Sequence, residues 1–137
     1  VGLILDSSVA VAAERRGDTP SQLVAQVVAL AGDQEAALSS VGLTELIHGI
    51  YRADSPQRRL RRESFVEELR TGLTVYPYTE AAALIAGRIN GEQMSKGIAI
   101  PFADLLIGAT ALSLGYSVLT VNVRHFNLIS GLGVISL

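Results

Sequence analysis

Val1-Gly2-Leu3-Ile4-Leu5-Asp6-Ser7-Ser8 opens the chain with an apolar run that stops at an acid and two hydroxyls. A short, unbroken apolar run bounded by polar residues is the pattern of a strand buried on both faces in a parallel sheet. Asp6-Ser7-Ser8 closes that strand and offers capping groups to a following helix.

The same strand-then-helix order repeats outward from this start. Thr19-Pro20 begins a helix, with Thr19 as N-cap and proline at the first helical position, and Leu23, Val24, Val27, Val28 and Ala31 share one face up to Gly32. Ala36 to Ser40 reads as a second strand, and Leu43, Leu46, Ile47 and Ile50 follow at helical spacing with Glu45 among them. Ser55-Pro56 starts a helix that carries the basic run and ends near Gly72; Leu73 to Tyr76 is a third strand, cut off by Pro77. Thr79 caps a long helix that loosens around Gly97, and Pro101 precedes a helix from Phe102 to Leu114 that Gly115 terminates. Ser117–Val121 and Gly133–Ser136 supply the last strands. Strands alternating with helices imply right-handed crossovers and an α/β fold, its parallel sheet covered on both faces.

A chain of 137 residues fits a single domain, residues 1–137, with one continuous core. A 49% hydrophobic share against 18% charged residues excludes a disordered chain. Cysteine is absent, so any metal must be held by oxygen or imidazole, and a reducing compartment is consistent with the composition. The opening run lacks a basic flank and Asp6 interrupts it, so no signal-peptide core forms. No stretch approaches the roughly 18 apolar residues needed to cross a bilayer, which leaves a cytoplasmic, membrane-free protein as the expectation. The net charge of −2 lacks the basic footprint common among nucleic-acid binders. A protein that holds an anionic substrate through a cation needs less basic charge of its own.

In a parallel sheet, helix N-termini sit beside strand C-termini. Asp6 ends the first strand, Glu45 lies in the opening turns of the helix after the second, Asp104 in the first turn of the helix feeding the fourth, and Asn122 just beyond that strand. All four belong to one edge, where open α/β folds place their ligand crevice. Three acids gathered there repel one another, and a hard divalent cation relieves the conflict. Such a site suits phosphodiester cleavage. Each residue has an ordinary reading as well: Asp6 as a helix cap, Asp104 as an acid favoured at a helix N-terminus, Glu45 as a solvated helix residue and Asn122 as a turn former. Their joint placement is what favours the site.

Leu3-Ile4-Leu5-Asp6-Ser7-Ser8, the Ser39–Gly49 segment with Thr44-Glu45-Leu46 inside it, Ile100-Pro101-Phe102-Ala103-Asp104-Leu105-Leu106-Ile107-Gly108-Ala109-Thr110-Ala111, and Leu119-Thr120-Val121-Asn122-Val123-Arg124-His125-Phe126 occur in this order. Together they resemble the PIN-domain ribonucleases, and within them the VapC-type toxins of bacterial and archaeal toxin–antitoxin modules. The resemblance implies a three-layer α/β/α PIN domain with a short, mainly parallel sheet of about five strands, and endonucleolytic, Mg²⁺- or Mn²⁺-dependent cleavage of RNA. It also implies metal contacts from Asp6 and Asp104, with Glu45 acting directly or through water, a homodimer, and a cognate VapB-like antitoxin whose tail occupies the active-site groove. Thr120 and Asn122 are implied to line the site. Asn122 departs from members with a fourth carboxylate, and its amide oxygen brings no charge.

Ser7 is expected to position a water or to cap the next helix. Arg15 and Arg16 are candidate contacts to RNA or antitoxin, against a plain role in ending the first helix. Arg58, Arg61 and Arg62 form the one dense basic patch, for which a solvated face balanced by Glu63, Glu67 and Glu68 is the ordinary explanation. His48 and His125 fall outside the catalytic set. Two other classes compete. A phosphotransfer domain is disfavoured because the sole lysine, Lys96, lies in a loop and no strand-ending aspartate recurs mid-chain. A non-catalytic PIN-like binding module stays open through Asn122.

Overall fold

The computed structural model describes residues 1–137. Its elements run β1 (Gly2–Leu5), α1 (Ser7–Arg16), α2 (Pro20–Ala31), β2 (Glu35–Ser39), α3 (Ser40–Tyr51), α4 (Pro56–Gly72), β3 (Thr74–Tyr76), α5 (Glu80–Met94), α6 (Phe102–Leu114), β4 (Ser117–Thr120), α7 (Val123–Phe126) and β5 (Val134–Ser136). The five strands form one sheet in the order β3-β2-β1-β4-β5, and each neighbouring pair is parallel.

The two-residue period of a strand sends neighbours to opposite faces, and the core divides accordingly. Leu3, Leu5, Leu38 and Leu119 join apolar side chains of α1 to α4 in one cluster. Ile4, Ala37 and Val118 join those of α5 to α7 in the other. The sheet is thus sandwiched between two helical layers, as the apolar strands imply. No helix is long and apolar enough to cross a membrane.

Local signals act where their chemistry places them. Thr19 and Gln22 make a reciprocal capping box at the start of α2, with Pro20 at the first position. Ser39, Ser55 and Thr79 each accept a hydrogen bond from a backbone N–H in the first turn of α3, α4 and α5. Gly115 takes a left-handed conformation, φ 72°, and stops α6. The second strand ends one residue earlier than expected, because Ser39 acts as the cap and Ser40 is already helical. The fourth strand also stops early: the Val121 N–H donates to Ser8 Oγ at 3.3 Å and leaves the sheet ladder. The short helix α7 was outside the expected elements. Fully buried Phe126 pins it beneath α6, where Gly108 allows the approach: a Cβ there would stand 2.5 Å from Ile129 Cδ1 and 3.7 Å from Phe126 Cδ1.

Candidate active site

From β1 the chain moves through β2 to β3 along one side of the sheet, then returns through α5 and α6 to β4 on the other side of β1. The reversal opens a crevice at the C-terminal ends of β1 and β4, where such sheets bind ligands. Asp6 and Thr120 stand there; the Asp6 N–H donates to the Leu119 carbonyl at 2.9 Å and so joins the two strand ends.

Each of the three acids commits one carboxylate oxygen to the protein and leaves the other free. Asp6 is buried, and its Oδ2 accepts from Ser8 Oγ at 2.6 Å and Thr120 Oγ1 at 2.9 Å, while its Oδ1 has no hydrogen-bond partner. Glu45 Oε1 accepts from Ser7 Oγ at 2.8 Å. Asp104 Oδ2 is 2.8 Å from His125 Nδ1. A buried acceptor without a partner is costly unless something satisfies it. The helix-cap reading of Asp6 fails on this geometry, since its side chain accepts no backbone N–H from the first turn of α1.

The electrostatics place the three acids in one field. Partial burial raises the Glu45 pKa, and the charges of Asp6 and Asp104 raise it further against the opposing Ser7 bond. Burial likewise raises that of Asp104, followed by the charge of Asp6, with the His125 contact pulling the other way. No three His, Asp or Glu side chains close around one point tightly enough to grip an ion unaided. Two or three carboxylates are enough for a hard cation that keeps most of its water. The buried, unpartnered Asp6 Oδ1 amid mutually repelling acids fits such a cation.

A carboxyl whose pKa is raised on folding binds its proton more tightly in the folded state. Its stability cost grows as pH rises from the ordinary value through the raised one, and is complete above it. Glu45→Gln keeps an acceptor for Ser7 and removes the charge. In the presence of EDTA near neutral pH, thermal denaturation is expected to show a midpoint about 2–5 °C higher than wild type, equivalent to about 1 kcal/mol or less once solvent screening of a half-exposed group is counted. The gain should shrink as pH falls towards 4.5, the ordinary value for this group. A midpoint that drops at neutral pH shows that the acids do not repel.

The other expected residues are placed unevenly. Thr120 is buried and joins the centre directly through Asp6. Ser7 neither caps α1 nor stands free; it orients Glu45. Asn122 is exposed, its backbone N–H donating to Thr120 Oγ1 at 2.9 Å while its side chain bonds to none of the acids. Arg15 lies on a groove that also contains Glu45. Arg16 is exposed, pairing at the surface with Asp18 at 2.9 Å and with Gln26. Two residues that meet the acids were not in the expected set: Ser8 was given no part there, and His125 was weighed and left out of the catalytic set. Ser8 was legible, because a hydroxyl two residues beyond an acid readily reaches back to it. His125 meets Asp104 only because α7 folds against α6, which no local pattern announces.

A PIN-domain family model matches residues 3–131, and the chain belongs to the PIN-domain family. Within that family it is similar to VapC ribonucleases. It is 32% identical over 136 residues to Ribonuclease VapC1 of Rickettsia felis, covering 99% of this chain and 96% of that one. It is 35% identical over 97 residues to the tRNA(fMet)-specific endonuclease VapC of Salmonella typhimurium, 71% of each chain. Among solved structures, the DNA-bound VapBC complex from Salmonella typhimurium matches with a TM-score of 0.82 at 27% identity, covering 99% of this chain and 98% of that chain.

Proposed function

We propose that this single-domain chain is a divalent-metal-dependent endoribonuclease, the toxin of a toxin–antitoxin pair, acting in the cytoplasm and held in check by a VapB-like antitoxin. The observation that carries the reading is the set of three acids from β1, α3 and α6, each with one oxygen fixed by the protein and one left free. The similarity to VapC ribonucleases and VapBC complexes supports the RNA substrate and the antitoxin partner. Leu84, Met94 and Phe102, large apolar side chains exposed on α5 and α6, support a homodimer.

Asp6 and Asp104 would hold Mg²⁺ or Mn²⁺, with Glu45 beside them. The bound cation supplies charge that neutralises the phosphate and lowers the cost of deprotonating water. Glu45 receives the proton of the attacking water on Oε2 while Ser7 fixes Oε1; its raised proton affinity suits it to that role. Thr120 and Ser8 lock the rotamer of Asp6, so its free oxygen is pre-aimed. His125 does the same for Asp104. Asn122 lies outside this trio, so the missing fourth carboxylate leaves the trio intact.

The purified chain is expected to cut single-stranded RNA internally in Mg²⁺ or Mn²⁺, to stop in EDTA, and to resume when excess metal is returned, as read by denaturing gel. Intact RNA after incubation of folded protein with either metal overturns the reading.

A further inference from the structure

Beside the acids runs a groove of about 500 Å³ between α1, α3 and α4. Glu45 stands on its wall, so the groove is continuous with the centre. Its floor is apolar, with buried Ala10, Leu46, Phe65 and Val66, while Arg15, Arg52 and Arg62 line it. Arg62 is half-buried and fixed, donating from Nη1 to the Gly49 carbonyl at 2.9 Å. Arg15 and Arg52 are exposed, and neither has a salt-bridge partner. Elsewhere on α4, Arg58 pairs with Asp54, Arg59 stacks over the Tyr51 ring and Arg70 pairs with Glu67, while Arg61 is exposed outside the groove lining. The chain carries a net charge of −2, yet two unpaired guanidiniums and a fixed one converge here, against two acids on the same lining, Glu14 and Glu45.

We propose that this groove is the track for the sugar–phosphate backbone of single-stranded RNA flanking the scissile bond, with Arg15 and Arg52 as phosphate contacts and Arg62 as the fixed anchor. The inference rests on the ribonuclease reading and adds where the strand lies. Guanidiniums match phosphate oxygens in geometry and charge, and an apolar floor accepts a sugar or base face. A backbone bound beside the acids contributes affinity without entering the bond-breaking step, so its loss acts on KM and not on kcat.

The test measures cleavage of a single-stranded 12-mer by the toxin alone, in Mg²⁺, over a range of salt concentrations. Arg15→Ala and Arg52→Ala are each expected to raise KM about fivefold at 0.15 M salt and to take about 0.7 off the slope of log affinity against log salt, with kcat within twofold of wild type. Arg88→Ala, on α5 and exposed, serves as the control and should change none of these. A dinucleotide too short to enter the groove should be cut equally by all variants. Unchanged KM and slope in both variants overturn the track, as does a fall in kcat at constant KM. An effect confined to inhibition by a partner peptide, with RNA parameters unmoved, also overturns it and assigns the groove to the protein partner. Anisotropy of labelled RNA on the Asp6→Asn background separates the two readings: arginine-dependent binding there keeps the track even if the wild-type chain cuts nothing.

Discussion

Asp6→Asn is expected to lower RNA cleavage by at least about 10²- to 10³-fold, a loss of about 3–4 kcal/mol of transition-state stabilisation, while the protein stays folded. The asymmetry follows from the two oxygens of Asp6. Oδ2 receives two hydroxyls, and the amide oxygen of asparagine takes its place beside Ser8 and Thr120 without moving the backbone. The other position, where the buried Oδ1 has no partner, then presents an NH₂ group. A donor now points where an electron pair was free, so cation binding is lost even though the shape is unchanged. Removing a charge that pushes up the proton affinity of Glu45 and Asp104 relieves strain, so the midpoint in EDTA should not fall. Cleavage assays at saturating Mn²⁺, paired with thermal denaturation, check both halves. More than about a tenth of wild-type activity in the variant removes Asp6 from the centre.

Phe126→Ala carries the largest expected effect on stability, about 3–5 kcal/mol, or on the order of 10–20 °C in midpoint. Phe126 is fully exposed to the core and not to solvent, packed in the layer that includes Ile107, Val118 and Ile129. Its removal leaves a cavity beneath α7, whose single turn has few other anchors. Because His125 is the preceding residue, its contact with Asp104 at 2.8 Å depends on the same turn. Activity below the melting transition should therefore fall as well, through Asp104 losing its orienting partner. Phe126→Leu, which retains most of the apolar volume, should lose much less in both respects. Chemical denaturation gives the stability change, and kcat at a temperature where each variant is folded gives the other. A loss under about 1 kcal/mol in Phe126→Ala means that the site collapses without cost and α7 is held by other contacts.

The ends of the elements were largely legible because short-range chemistry sets them. Thr19-Pro20, Ser55-Pro56 and Thr79 cap their helices in the structure as their residue types imply, and Gly115 stops α6 where a left-handed residue is needed. The layered sheet followed from strands alternating with helices and from the apolar Leu3-Ile4-Leu5, since an unbroken apolar strand must be covered on both sides. The roles of individual site residues were less legible. Asp6, read as a metal ligand or a helix cap, accepts no backbone N–H of α1; Ser7, read as positioning a water or capping, holds Glu45; Arg16, read as a contact to RNA or antitoxin or as the end of the first helix, is paired with Asp18.

The sequence by itself determined the five strands and the longer helices, though not α7, that the sheet is parallel, and that Asp6, Glu45 and Asp104 belong to its C-terminal edge, because residue periodicity and the alternation of strands with helices are written in residue order. Tertiary structure alone decided which oxygen of each acid is held and which is free, that His125 reaches Asp104, and that Arg15, Arg52 and Arg62 meet along one groove. Those outcomes depend on how α1, α3, α4 and α7 dock on the sheet, and docking is set by side-chain packing between segments far apart in the chain.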